Sequence, residues 1–287
     1  MIQDLRMAGY FGCNTSTENV NNSFILGAGL DPETQSLGAT DNPLEGFDES
    51  LAAWSPSDDP TPPIGTDPNE MVANTDAFTV RHLTGDHQVV VASGVDLLTL
   101  DDATPFALGD QVAVFDCGST DVFQIDTLAG DTITPVVSLA REYDTNGNAL
   151  DPSNPKVSEF VAIRYFIGNG TRGPALFREV IQNGAAQPVQ ELIEGVESMH
   201  ILYGVDNDGD NVPDSYLQAG VAGLDDTNEW GSVVAVKIAM LVRTLEEYGQ
   251  DIDQTQYRLN DFTFPVPNDR FKRRVFNTTV LLRNRLI

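Results

Sequence analysis

A chain of 287 residues with 41% hydrophobic content is long enough for one large or two smaller domains and can bury a core, which excludes disorder throughout. Asp and Glu number 43 against 16 Lys and Arg, a formal net charge of −27 that argues against nucleic acid or anionic lipid as partners and for cations. Such a charge strains a compact state by self-repulsion unless salt, bound metal ions or wide carboxylate spacing offsets it.

The opening residues read as helix, with Ile2, Leu5 and Ala8 on one face and no capping residue in front of them. A helix without a start signal is expected to continue from upstream sequence that this chain lacks; an ordinary frayed helix is the alternative. Two cysteines, Cys13 and Cys117, stand far apart without a CxxC pair or a histidine-rich partner set, which argues against zinc. One disulfide in an oxidising compartment and two buried thiols are both open readings. From Asn14 to Asn74 the sequence is rich in Asn, Gly, Pro, Ser and Asp and reads as a long excursion of loops, with a short helical turn near Leu51 to Trp54 and Trp54 pinning it to the body.

From Thr75 onward, short β-prone runs alternate with turn residues: Ala77 to Leu83, Gln88 to Ala92, Gln111 to Phe115, Val122 to Thr127 and Thr132 to Val137. Ala129-Gly130-Asp131 marks a turn between the last two, so a local antiparallel meander is expected. A second β group follows at Glu159 to Ile167 and Ala175 to Ile181. Pro188 then stands where a first helical residue would, Val189, Leu192 and Ile193 share a face, and Gly195 is placed as a stop, so a short helix is expected there. Val233 to Arg243 alternates with period 2, its apolar set being Val234, Val236, Ile238, Met240 and Val242, and the closing Phe276 to Arg283 does the same. The sum is an α+β fold, with an N-terminal helix packed on an antiparallel β-sheet and a β-rich head with long loops. Its expected divisions are the end of a helix at 1–13, a loop-rich insertion at 14–74 and a globular head at 75–287.

One motif carries chemistry. Asp206, Asp208, Asp210 and Asp214 occupy relative positions 1, 3, 5 and 9 of an acidic turn, with the Val212 carbonyl at position 7 and Asn211 at position 6, where a left-handed backbone is needed. Calcium takes six to eight hard oxygens, and alternating aspartates on a curved backbone direct theirs to one centre. Position 12 is Leu217 instead of a bidentate Glu and the flanks read as strands, so the loop is EF-hand-like without an EF-hand; further ligands are expected from water, Asp225, Asp226 or Glu229. The bland reading is a solvated acidic turn, which four mutually repelling carboxylates disfavour. A weaker echo, Asp144, Asn146, Asn148 and Asp151, reads as a plain turn. No HExxH, GxSxG or P-loop occurs, and His82, His87 and His200 are scattered, so no catalytic residue is assigned. Arg270, Lys272, Arg273 and Arg274 read as the basic face of the last strand against an acidic body, with a binding patch as the rival.

The run Ile2-Gln3-Asp4-Leu5-Arg6-Met7-Ala8-Gly9-Tyr10-Phe11-Gly12-Cys13 resembles the end of the N-terminal helix in the PilW family of type IV pilus minor pilins. Further runs resemble other parts of the same family in chain order: Asp116-Cys117 with Asp121 to Gln124, Leu192 to Glu197, the strand ending at Tyr203-Gly204, the Asp-rich loop, the Val233 to Arg243 strand and the closing Arg274 to Arg285. The resemblance implies a minor pilin of the priming or tip complex and not an enzyme. It also implies a Cys13–Cys117 disulfide, other minor pilins and a tip adhesin as partners, and membrane attachment only through an apolar helix absent here. The implied location is the inner membrane and periplasm before assembly and the extracellular pilus afterwards. The alternatives are a type II secretion minor pseudopilin and a secreted calcium-dependent adhesive or carbohydrate-binding module, with an acidic hydrolase behind both.

Overall fold

The computed structural model describes residues 1–12, 20–22, 43–48, 53–55, 63–182, 185–225 and 229–285. One helix, α1 (Ile2–Met7), is followed by β1 (Val20–Asn22), β2 (Leu44–Asp48), β3 (Ala53–Ser55), β4 (Ala77–Gly94), β5 (Leu97–Leu100) and β6 (Gln111–Phe115). Then come β7 (Thr120–Ala129), β8 (Thr132–Pro135), β9 (Lys156–Gly170), β10 (Gly173–Gln182), β11 (Ala185–Ala186) and β12 (Gln190–Glu194). The chain closes with β13 (Val196–Val205), β14 (Ser215–Leu217), β15 (Val233–Arg243), β16 (Tyr257–Leu259), β17 (Phe262–Phe264) and β18 (Arg273–Leu281).

The fold is almost all β, which corrects the α+β expectation. The helix at the start spans six residues and ends where Gly9 turns to φ 74°; the strand-paired segment Gly9 to Phe11 follows, with the Gly9 amide bonding the Arg81 carbonyl at 3.1 Å and the Leu83 amide bonding Tyr10 at 2.9 Å. The second expected helix, from Pro188 to Gly195, is also overturned. Gln190–Glu194 pairs antiparallel with β10, and Gly195 at φ 79° makes the turn into β13 rather than capping a helix. Of the helical turn expected at Leu51 to Trp54, residues 51 and 52 lie outside the described residues, and Ala53–Ser55 is strand, paired with β2.

Two long strands organise everything else. β4 and β9 pair with each other from Phe78↔Tyr165 to Val89↔Lys156. At one end they belong to a ring: β9 pairs β6, β6 pairs β7, β7 pairs β8, β8 pairs β5, and β5 returns to β4. This closed six-stranded barrel follows from period-2 alternation that points Val90, Leu98, Leu100, Val112, Val114, Phe123, Ile125, Ile133 and Val157 into one core. At the other end, β2 joins β4 and β10 joins β9 to make an open sheet. That sheet faces a second one, ordered β14-β13-β15-β18. Leu44, Phe78, Val80, Ile163, Tyr165 and Ile167 meet Met199, Ile201, Tyr203, Val236, Ile238 and Val280 between them, with Leu5 of α1 fully buried in the same core. Gly46 is required where the sheets approach, since a Cβ there would collide with the Tyr203 hydroxyl.

β15 was expected to bury one face. Both are covered, because the β16–β17 hairpin lays Leu259 over Ala239 and Leu241 on the far side. Among the described residues no helix is long and apolar enough to cross a membrane.

Candidate metal centre

β13 and β14 are antiparallel neighbours closed by Val205↔Ser215, so Asp206 to Asp214 forms the loop of a hairpin. The loop is anchored at its first residue: Asp206 is 8% exposed, and its amide bonds the Ser232 carbonyl at 2.9 Å. Its carboxylate accepts the amides of Asp208 at 3.2 Å and Gly209 at 2.7 Å on one oxygen, and of Asn211 at 2.7 Å on the other. Gly209 and Asn211 take positive φ, 79° and 65°, as a backbone curling around a carboxylate needs. Asp208 accepts the Asp210 amide at 3.2 Å, and Asp210 accepts the Val212 amide at 2.8 Å.

This curl brings one carboxylate oxygen from each of Asp206, Asp208 and Asp210 within 4.8 Å of the others. Burial pushes Asp206 up, but the amides of Gly209, Asn211, Asp208 and Asp210 outweigh it and hold the carboxyl below its usual range. Asp208 goes the other way. The Asp210 amide pulls it down, yet the charges of Asp210, Asp214 and Asp206 raise it overall. Asp214 is turned to the loop's own backbone, accepting the Asn207 amide at 2.7 Å, and is outside the three-carboxylate group. Val212 is exposed. Asp225 donates its amide to Glu229 at 2.9 Å, and Asp226 lies outside the described residues. Three converging hard oxygens fit calcium as a donor set, with the remainder of its coordination left to carbonyls and water.

The echo loop behaves differently. Asn146 and Asn148 accept the amides of Asn148 and Leu150 at 2.9 and 3.1 Å, and Asn146 donates to the Asp151 carboxylate, a chain of side-chain-capped turns that brings no three carboxylates together. The basic cluster is engaged within the protein. Arg273 is buried against Glu197 at 2.6 Å and Asp269 at 2.6 Å, Arg270 bonds Glu247 at 2.5 Å, and Arg274 lies over the Phe276 ring. Cys13 lies outside the described residues; Cys117 is in the turn between β6 and β7.

Sequence reading missed a second polar cluster. His200 Nδ1 lies 3.5 Å from Asp76 Oδ1, both side chains being less than a tenth exposed. These residues are 124 positions apart in number, from Asp76 to His200, so no spacing rule links them.

Residues 164–284 match the model of a family described as type IV pilus-assembly protein W. The resemblance to the PilW family is thus borne out over that span, which is less than half of the chain and takes in the last part of β9 and everything from β10 to β18. That family is one of pilus assembly and not of enzymes. No curated protein and no solved structure matches the chain.

Proposed function

We propose that the chain is the globular part of a minor pilin, acting in the priming or tip complex of a type IV pilus, with a calcium ion in the β13–β14 hairpin. The family match over residues 164–284 carries this reading, because it covers the whole β14-β13-β15-β18 sheet with the acidic hairpin and the last strand, and β10 of the sheet it faces. Its partners are other minor pilins and a tip adhesin, met in the inner membrane and periplasm and then carried outside in the pilus. Co-expression with other minor pilins is expected to yield a complex, and deletion of its gene is expected to reduce surface piliation. Normal piliation together with no association would sink the assembly role.

Asp206, Asp208 and Asp210 are the primary calcium ligands in this reading, with Asp214 and the Val212 carbonyl completing the set on loop closure. The raised Asp208 carboxyl supports it, since a cation relieves the repulsion that raises it. A hundredfold excess of calcium over its Kd would stabilise the fold by about 2.7 kcal/mol. That is roughly 5 to 10 °C in melting temperature. Asp208→Ala with Asp210→Ala is expected to erase the shift; identical melting curves in calcium and in chelator would remove the ion from the account. A Cys13–Cys117 disulfide belongs to the same proposal, supported by Gly12, the neighbour of Cys13, lining one cavity with Cys117.

A further inference from the structure

Five segments meet around a cavity of about 240 Å³: the end of β2 (Asp48), the approach to β4 (Asn74, Asp76), β13 (His200), the residue after β14 (Gln218) and the β16–β17 hairpin (Asp261, Phe262). Its floor is buried, with Asp48 and Asp76 each 4% exposed and His200 7% exposed, while Asp261 and Asn74 stand exposed at the rim. The lining holds three carboxylates, two amides and an imidazole, and no Lys or Arg.

His200 supplies an independent sign that something is bound. Its ring lies flat against Phe262 at 4.0 Å, its Nδ1 faces Asp76, and its Nε2 is buried without a hydrogen-bond partner. An orphaned buried ring nitrogen is costly unless a ligand meets it. Burial pushes His200 down to about 4, although the charge of Asp48 and the Asn74 carbonyl oppose this. At neutral pH the ring is therefore uncharged, and with its proton on Nδ1 the orphan Nε2 is an acceptor.

The only charges in the lining are negative and the orphan Nε2 accepts, so the complementary ligand is a cation that donates. A bare metal ion fits poorly: among the described residues only the hairpin aspartates bring three ligand atoms within 4.8 Å of one another. The acceptors here are spread, which suits a group with several N–H bonds pointing apart. The volume falls below the roughly 300 to 1,000 Å³ of ordinary small-molecule pockets, which suits a small group or a chain end. We propose that this cavity receives a primary ammonium group, the end of a lysine side chain or of a small aliphatic amine, between Asp48, Asp76 and Asp261, with His200 Nε2 accepting one of its hydrogens. The proposal is independent of the calcium hairpin and of the pilus assignment.

The test follows the His200 ring nitrogens by NMR in the full chain, titrated with n-butylammonium, with a capped Gly-Lys-Gly peptide and with the same peptide acetylated on the lysine. The Nε2 resonance is expected to move with the first two and to stay still with the third. Butylammonium alone moving it would assign the site to free amines, and tighter binding of the lysine peptide would assign it to a polypeptide partner. Asp261→Asn, a change at the exposed rim, is expected to weaken binding at least tenfold while leaving the melting temperature unchanged. No movement with either amine, movement with calcium alone, or unaltered affinity in Asp261→Asn would overturn the proposal.

Discussion

Glu45 and Arg81 bond at 2.5 Å between Oε2 and Nη2 with side chains 0% and 1% exposed. Removing one partner of such a pair strands a charge in a medium that solvates it poorly, at a cost of about 3 to 5 kcal/mol. Arg81→Met is therefore expected to lower the urea midpoint sharply, and Glu45→Leu added to Arg81→Met to recover part of the loss; equal stability of wild type and single variant would show that the pair is not buried in solution. The pairing was not legible from sequence: Arg81 lies in a run that reads as strand, but Glu45 falls in a Pro- and Gly-rich stretch that reads as loop. Asp206, Asp208 and Asp210 were legible for the opposite reason. Ligands that alternate along one short segment are joined by local backbone geometry, which pattern reveals. Asp48, Asp76, His200 and Asp261 are joined only by tertiary folding, and pattern says nothing about them.

At the scale of elements, the strands were read well wherever one face alternates. β6 and β15 have the expected bounds, and β4 unites two runs that had seemed separate. The failure at 188–195 has a physical cause. Pro188, Gly195 and an apolar set at Val189, Leu192 and Ile193 satisfy the rules for a short helix, but about two turns cannot repay helix nucleation alone. An open edge on β10 offers those same backbone groups immediate partners, so the local preference gives way. Leu192 and Ile193 remain 44% and 53% exposed as a result. β15 shows the converse. Its alternation announced one covered face, while the second is covered by a hairpin more than ten residues further on, beyond the reach of any period.

Across the whole molecule, one pair of strands serves two cores: the closed barrel at one end of β4 and β9, and the facing sheets at the other. The barrel core holds no residue of β13, β15 or β18, so its integrity is separable from theirs. Leu98→Ala, which empties part of the barrel at a cost of about 2 to 5 kcal/mol, is expected to speed amide exchange in β5 through β8. The amides of β13 and β15 are expected to keep their protection, and uniform acceleration across both cores would show that the molecule opens only as one unit. The separation of the barrel was not readable from sequence, because ring closure depends on which strand returns to β4, a matter of register and not of composition. The two ends of the chain add a mechanical property. Asn284 donates to the carbonyls of Arg6 and Ala8, each at 3.3 Å, so α1 and the segment after β18 are fastened side by side. Tension entering through α1 would therefore divide, part crossing this clasp to the last strand and part following the chain into β4 and β7 through the bonds that Gly9, Tyr10 and Phe11 make there.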